Sequence, residues 1–474
     1  MDDIIKFLDF DDPALEVGPI CIKDGKRHLT IQKKLTEQYC PFCNYRMYSR
    51  GIYERKVNHP IMQDGLPLVL HVRQRRWRCT NTSCQYTCND TFSFLEAHKQ
   101  NTKMTDILIV EAFRDDHLPA AKIARRCNVS GTYAIHTFAR FVDMKRRQFS
   151  EVISIDEVKV DVTSICKYAL VIQDFITGEP IDLLPNRRQE ITEPYFLSIP
   201  LAERRRVRYL ISDMYKPYIG YVEKYFPNAI SAVDSFHVVK YINGKLLAHL
   251  RQLARELDQK DRLLHEQREQ QFHRRLTFHH SRDYYIVKHC QWVILKNQSA
   301  LRYDQKPFWN PYLQRYLDIY AIEDLLFKID PDLKRLRDLK ERYIHFNASF
   351  GNDHKRAHPA LRELIRFYRD SPFKEFRDVA DPLEYHFESI INSFIMVERY
   401  CTGGVHVSRL SNGPMESLNR IAKDLKRNGH GYRNFDHLRN RFLFARRKNA
   451  RMLAVPKPLQ QVVPTGKPRG PYKT

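Results

Sequence analysis

Two kinds of residue in this chain have types and spacings that could do chemistry: thiols in close pairs, and carboxylates at the ends of apolar runs. Cys40 and Cys43 bracket CPFC, Cys79 and Cys84 bracket CTNTSC, and 35 residues separate the pairs. A Cys-x-x-Cys knuckle sets two thiolates on one side of a tight turn, and a second pair completes the tetrahedron that zinc prefers. The gap exceeds the usual zinc template. A hairpin over residues 47–78 spans it, with Asn44 and Gly51 at turn-compatible positions. Free thiols are the competing reading. Cys88 is a spare fifth candidate, and the isolated Cys21, Cys127, Cys166, Cys290 and Cys401 read as small buried groups.

Among the carboxylates, Asp156 interrupts the apolar strand VISIDEV, Asp213 ends VRYLISD, and Glu416 opens the late helix of SNGPMESLNRIAKDLKR. Clustered carboxylates repel one another unless a cation lies between them. Their hard oxygens suit Mg²⁺ or Mn²⁺. Two such ions, about 3.5–4 Å apart, serve an in-line phosphoryl transfer on a phosphodiester. Taken singly, each acid has a plainer role: a strand-edge charge, a helix N-cap, and a first-turn residue favoured by the helix dipole. Asp234 ends AISAVD and His237 follows three residues later. That pair reads either as orienting a metal ligand or as capping the next helix.

The elements that must position these groups follow from the pattern. Residues 1–36 read as a short arm leading into a strand. Around the cysteines VLHVRQRRWRC alternates apolar and basic residues, so Arg73, Arg75 and Arg76 form a strand face suited to phosphate or simply to solvent. PAAKIARRCNVSGTYAIHTFARFVD fits a helix-turn-helix, with Asn128 ending the first helix and Ser130 capping the second. Its second helix carries Thr132, Tyr133, His136, Thr137 and Arg140 on or near the face that would meet DNA. An ordinary helical hairpin is the alternative. The basic run KRRQ reads as a linker. VISIDEVKV, KYALVIQD and EPIDLLP then form a β-meander. VRYLISD, a helix from about Lys216 to Phe226, and AISAVD continue it as an α/β layer. From about Val238 to Tyr400 the pattern is helical, with no strand signal before the SNGPME helix. On that last helix Asn419, Arg420, Lys423 and Arg427 are expected near the Glu416 face, holding a phosphate backbone.

Composition narrows the partner. The 474 residues carry 79 Lys and Arg against 56 Asp and Glu, a formal net charge of +23 with pI near 9.5. Residues 401–474 alone hold 16 basic and 3 acidic residues. A field so concentrated favours nucleic acid or an anionic membrane surface. The longest stretch without Asp, Glu, Lys or Arg is the thirteen residues 127–139, too short and too polar to span a bilayer. MDDIIKFLDFDD is acidic where a signal peptide is basic, so a cytoplasmic location is expected. There, ten cysteines favour metal or free thiols over a disulfide framework. The closing VPKPLQQVVPTGKPRGPYKT reads as a basic, disordered tail.

In order along the chain, CPFC, RRWRC, CTNTSC, the helix-turn-helix, SIDEV, SDMYKPY, AVDSFHVVKYIN, SNGPMESLNR and GYRNFDHLRNRFLF resemble the ISL-three family of bacterial insertion-sequence transposases, over about residues 37–450. The SDMYKPY and SNGPMESLNR blocks are the specific ones. The resemblance implies an α/β ribonuclease-H-like catalytic core with an Asp-Asp-Glu triad falling on Asp156, Asp213 and Glu416, two Mg²⁺ (or Mn²⁺) ions, and an auxiliary Asp234 and His237. It implies a zinc ribbon on Cys40, Cys43, Cys79 and Cys84. The expected division is an arm at 1–36, the zinc ribbon at 37–100 and the helix-turn-helix at 101–147. The core follows at 148–238, then a large all-helical insertion at 239–400, the rest of the core at 401–450 and the tail at 451–474. The implied partners are double-stranded DNA, at terminal inverted repeats and at the target, and further copies of the chain in a nucleoid-associated complex, with no membrane. Glu157 is expected to point away from the other acids, since strand side chains alternate. Two rival readings remain: a non-catalytic DNA-binding regulator derived from a transposase, and a nuclease without strand transfer.

Overall fold

The computed structural model describes residues 8, 10, 12–60, 65–163, 166–351, 353–401 and 403–462. The last twelve residues of the expected tail and the side chain of Cys401 lie outside them. Strands β1 (Leu15–Lys23) and β2 (Lys26–Lys33) meet at a tight turn through Asp24 and Gly25, both at positive φ. With β3 (Met47–His59), β4 (Leu68–Cys79) and β5 (Thr87–Asn89) they make one sheet, in the order β1-β2-β4-β3 with β5 on β4. The expected arm therefore supplies two of the sheet's five strands: Leu15, Val17, Leu29 and Ile31 alternate inward onto Val57, Leu70 and Val72. Gly51, at φ +119°, allows the register break between Ser49 and Ile52 in β3.

Helices α1 (Lys103–Ala112), α2 (Ala120–Arg126) and α3 (Gly131–Phe141) form the expected bihelical unit behind one leading helix. Asn128 is left-handed at φ 52°, and Ser130 Oγ accepts from the Tyr133 N–H at 3.1 Å. This unit is not tethered by a free linker. Arg146 pairs with Glu203 at 2.7 Å, Arg147 pairs with Glu179, and Arg447 donates to the Lys145 carbonyl at 2.6 Å. The basic run is thus fixed to the body by its own charges.

The second sheet comprises β6 (Val152–Lys159), β7 (Tyr168–Asp174) and β8 (Pro180–Leu184), then, after α4 (Gln189–Leu197) and α5 (Leu201–Arg204), β9 (Tyr209–Ser212), α6 (Lys216–Tyr225) and β10 (Ile230–Val233). Its order is β10-β9-β6-β7-β8; the first three strands in sequence are an antiparallel meander, while β9 and β10 run parallel to β6. Phe149, Phe196, Tyr218, Tyr225 and Phe226 cover one face. The other face, through Val158, Val171 and Leu183, shares a core with Ile123, Ala134 and Phe138 of the helix-turn-helix.

From β10 the chain enters α7 (Ser235–Phe272), 38 residues whose fully buried positions, Val238, Ile242, Leu246 and Leu250, recur every four residues along one face. Beyond Leu250 none is fully buried. There follow α8 (Arg282–Cys290), α9 (Trp292–Leu295), β11 (Phe308–Asn310), β12 (Arg315–Leu317), α10 (Ile319–Ile329), α11 (Asp332–Ser349), α12 (His354–Arg369), α13 (Lys374–Tyr385) and α14 (Phe387–Asn392). They pack around their own core, and Asn392 ties them to the sheet by donating to the Ser231 carbonyl at 2.9 Å. Next come β13 (Met396–Cys401), β14 (Gly404–Arg409), α15 (Gly413–Asn428), α16 (Phe435–Arg446) and a last turn, α17 (Leu459–Val462).

The insertion is thus not all helical, and strands do return before the SNGPME helix. β11 and β12 are three residues each, below the length at which a period of two registers. The β13–β14 hairpin exposes Val405 and Val407, at 55% and 60%, and so lacks the inside-outside alternation that marks a strand.

Candidate active site

Because β6, β9 and β10 are parallel, their carboxyl ends lie along one edge of the sheet, the edge where open α/β sheets form sites. Asp156 lies in β6, Asp213 follows β9 and Asp234 follows β10. The pairing of Ser154 with Ile211 carries Asp156 level with Asp213. Asp156 Oδ1 accepts from the Glu157 N–H and Oδ2 from the Asn419 amide, each at 2.8 Å. Burial holds the Asp156 carboxyl above its ordinary range and the Asp213 charge adds to this, against the Glu157 N–H, His237 and Asn419. Asp234 is 4% exposed. Burial pushes it up and Glu416 adds to this, opposed by His237 and by the N–H groups of Phe236 and Asn412.

The Asn419 bond to Asp156 joins the helix after the insertion to the strand before it. Glu416 stands in the first turn of α15. Met415, Leu418, Ala422 and Leu425 bury the opposite face, leaving Glu416, Arg420, Lys423 and Arg427 exposed in one line. Glu157 faces elsewhere, paired with Arg187 and accepting from Tyr218 Oη at 3.0 Å. The carboxylates do not close into a cage. Among the described residues only a set of thiols brings three or more ligand atoms within 4.8 Å of one another. The edge nevertheless fits a hard divalent cation. Its donors are carboxylate oxygens, two of them reluctant to ionise, and Asn419 Oδ1 and His237 Nε2 are buried without partners.

The thiols are those of Cys40, Cys43, Cys79 and Cys84. Cys40 and Cys84 Sγ lie 3.7 Å apart, Cys43 and Cys79 Sγ 3.4 Å. A tetrahedron with Zn–S bonds of about 2.3 Å has edges of about 3.8 Å. Burial alone would raise the Cys40 thiol; the Phe42 and Cys43 N–H groups and the neighbouring thiols outweigh it and bring it down to about 7. Burial pushes Cys79 up to about 12. This donor set fits zinc, and Cys88, on β5, stands outside the four.

Residues 153–442 match a family model of the ISL3 group of DDE transposases, described as a transposase. The chain belongs to that transposase family. The transposase for insertion sequence element IS1001 of Bordetella parapertussis is 25% identical to it over 173 residues, which are 36% of this chain and 36% of that protein. The chain therefore matches little more than a third of that relative's length.

In this transposase the expected DNA-contacting residues fall into two groups. Arg73 and Arg76 are exposed on β4, Thr132 on α3, and Arg420, Lys423 and Arg427 on α15; Arg75 is half-buried. The others are turned to internal work. Asn419, 7% exposed, serves Asp156 and not a phosphate. Tyr133 donates its hydroxyl to Asp106 at 2.7 Å. Thr137 is buried, and Arg140 Nε donates to the Lys457 carbonyl at 2.9 Å. His136 lines a cavity of about 710 Å³ between α3 and the turn from α15 to α16. Each follows from packing: α3 is pressed against the body, so a helical-wheel face that reads as outward is half inward. Sequence reasoning missed Asn412, whose backbone N–H serves Asp234, and Arg409, which donates to the Asn347 carbonyl at 2.9 Å and so ties the hairpin before Glu416 to α11. Asn412 had a visible signal in its place beside the Gly-Pro helix start; Arg409 had none.

Proposed function

We propose that this chain is a metal-dependent DNA transposase with a ribonuclease-H-like core. It binds the terminal inverted repeats of an insertion sequence, cleaves the DNA at the element ends and transfers the strand to target DNA. The observation that carries this reading is geometric: Asp156, Asp213 and Asp234 stand at the carboxyl edge of three parallel strands, and Asn419, on the helix that carries Glu416, donates to Asp156 at 2.8 Å. The strand order of the second sheet, a meander flanked by two parallel strands, supports the core assignment. Asp156, Asp213 and Glu416 would hold the metal, with Asp234 and His237 auxiliary. Bound there, two Mg²⁺ or Mn²⁺ ions would supply the activation of the attacking oxygen and the stabilisation of the leaving one.

The chain's own residues do the rest. Asn419 and the Glu157 N–H fix the rotamer of the Asp156 carboxylate. Arg420, Lys423 and Arg427 continue the Glu416 line and hold the phosphate backbone beside the cut. The zinc-bearing sheet, through Arg73 and Arg76, and the helix-turn-helix grip the duplex away from it. Two ends must be held together, so the working form is a homo-oligomer in the bacterial cytoplasm. Replacing Asp156→Asn is expected to abolish metal-dependent cleavage of a terminal-repeat duplex while leaving gel-shift affinity within about twofold. Undiminished cleavage by that variant overturns the assignment.

A further inference from the structure

Past Leu250, where α7 has no fully buried residue, its charges are still ordered. Arg251, Arg255, Asp258 and Arg262 recur at intervals of four, three and four residues, which puts them on one face of the helix. That face is one wall of a cleft of about 770 Å³. Tyr284, Lys288 and Gln291 of α8 supply the other wall, and the buried Leu250 and Val287 lie between. Four basic side chains thus line the cleft against a single carboxylate. Asp258 is already engaged, 3.0 Å from Arg262 Nε and 3.5 Å from His280 Nδ1. Arg251, Arg255 and Lys288 are exposed and form no ion pair among the described residues; Arg255 donates to the neutral Gln252 at 2.7 Å. A solvated helix face pairs its charges at i, i+4, as Arg262 does. Three unpaired cations gathered on a concave surface suit a row of anions instead.

The length of the row narrows the ligand. From Arg251 to Arg262 is about 16 Å at 1.5 Å per residue, too long for one phosphate and matched to several along a strand that carries one every 3.4 Å or so. The second sheet says which stretch of DNA this is. The helix-turn-helix and α16 cover β6, β7 and β8, while the insertion is anchored at the far end of the sheet, on Ser231 and Val233 of β10. The acids at the carboxyl edge lie between the two. From Asp234, α7 leads away from them, so the cleft begins about 25 Å from that acid and ends about 42 Å from it. We propose that the cleft holds the phosphate backbone of the duplex that flanks the element, about 7 to 12 base pairs beyond the scissile phosphate on the side away from the repeat. The assignment rests on the transposase reading above and gives the insertion a ligand.

The test measures binding of the full-length protein, in EDTA, to duplexes carrying the inverted repeat beside its gene and either no flank or flanks of about 5, 10 and 15 base pairs. Affinity should be level up to about 5 base pairs of flank and rise at least about tenfold by 15, with the slope of log affinity against log salt steeper by about 2 to 3. The triple variant Arg251→Gln, Arg255→Gln, Lys288→Gln changes exposed positions alone. It should keep the natural melting temperature, bind the unflanked repeat as the natural protein does, and lose the rise. The length series needs no variant: a natural protein indifferent to flank overturns the proposal by itself. Equal binding of both proteins to the longest duplex overturns it too. So does a loss that is the same with and without flank, which would put the cleft on the repeat. A natural protein that binds the repeat no better than a scrambled duplex sinks the transposase reading itself; one that prefers the repeat but ignores the flank sinks only the role of the cleft.

Discussion

Arg420 and Lys423 point outward from α15 while Asn419, next to Arg420 in the chain, points inward to Asp156, so neighbouring polar residues have opposite surroundings. Their variants should separate cleanly. Lys423→Ala removes a charge from the proposed backbone contact. It is expected to weaken binding to every duplex alike and to reduce the slope of log affinity against log salt by about 0.9, read by fluorescence anisotropy. Asn419→Ala should leave that slope unaltered and lower cleavage instead, because the Asp156 carboxylate loses the amide that orients it. A shared phenotype would mean that Asn419 touches DNA after all.

Between elements, the insertion is held by His249 of α7, whose Nε2 and Nδ1 lie 2.9 Å from Asp330 and from Glu375 of α13. Burial lowers the His249 pKa, but the two carboxylates outweigh it and hold it above the ordinary value. A group raised on folding gives stability that is whole below about pH 6.5 and lost as pH climbs through the folded value. The urea midpoint reported by Trp292 and Trp309 should therefore fall between about pH 6 and pH 9, and His249→Gln, which cannot titrate, should erase that step at a cost of about 2 kcal/mol at the acid end. Such ties were invisible in the sequence, since they join residues far apart in the chain. What was legible was local: the cysteine spacing, the Asn128 turn and the Ser130 cap. The β1–β2 hairpin and the β13–β14 hairpin were not. The first lies beside a strongly acidic opening, and the second turns its valines to solvent. The inward turn of Tyr133 and Asn419 was equally hidden, because a helix alone does not say which side its neighbours take.

At the scale of the molecule, the helix-turn-helix, the sheet and α15 with α16 are parts of one core, in which Phe138 meets Phe444 and Leu425 joins Val158 and Val171. Arg441, 2% exposed, reaches from α16 to the Asp115 and Leu118 carbonyls at 2.6 and 2.9 Å, and Arg439 grips Asp182 of β8 at 2.6 Å. The helix-turn-helix and the helix that carries Glu416 are thereby a single rigid piece. Such a piece is a ruler. On the function proposed above, the number of base pairs between the sequence read and the phosphate cut would be set by the protein and not by the DNA. Inserting about five base pairs, half a helical turn, between the repeat and the element end should abolish cutting there and not merely relocate it. End-labelled products from the lengthened substrate would show a cut that moves with the end if the two parts were instead independent. If the proposed function holds, an element bearing this transposase would be confined to ends of one fixed length, and drift in that spacer would silence it as surely as loss of the proposed metal ligand Glu416.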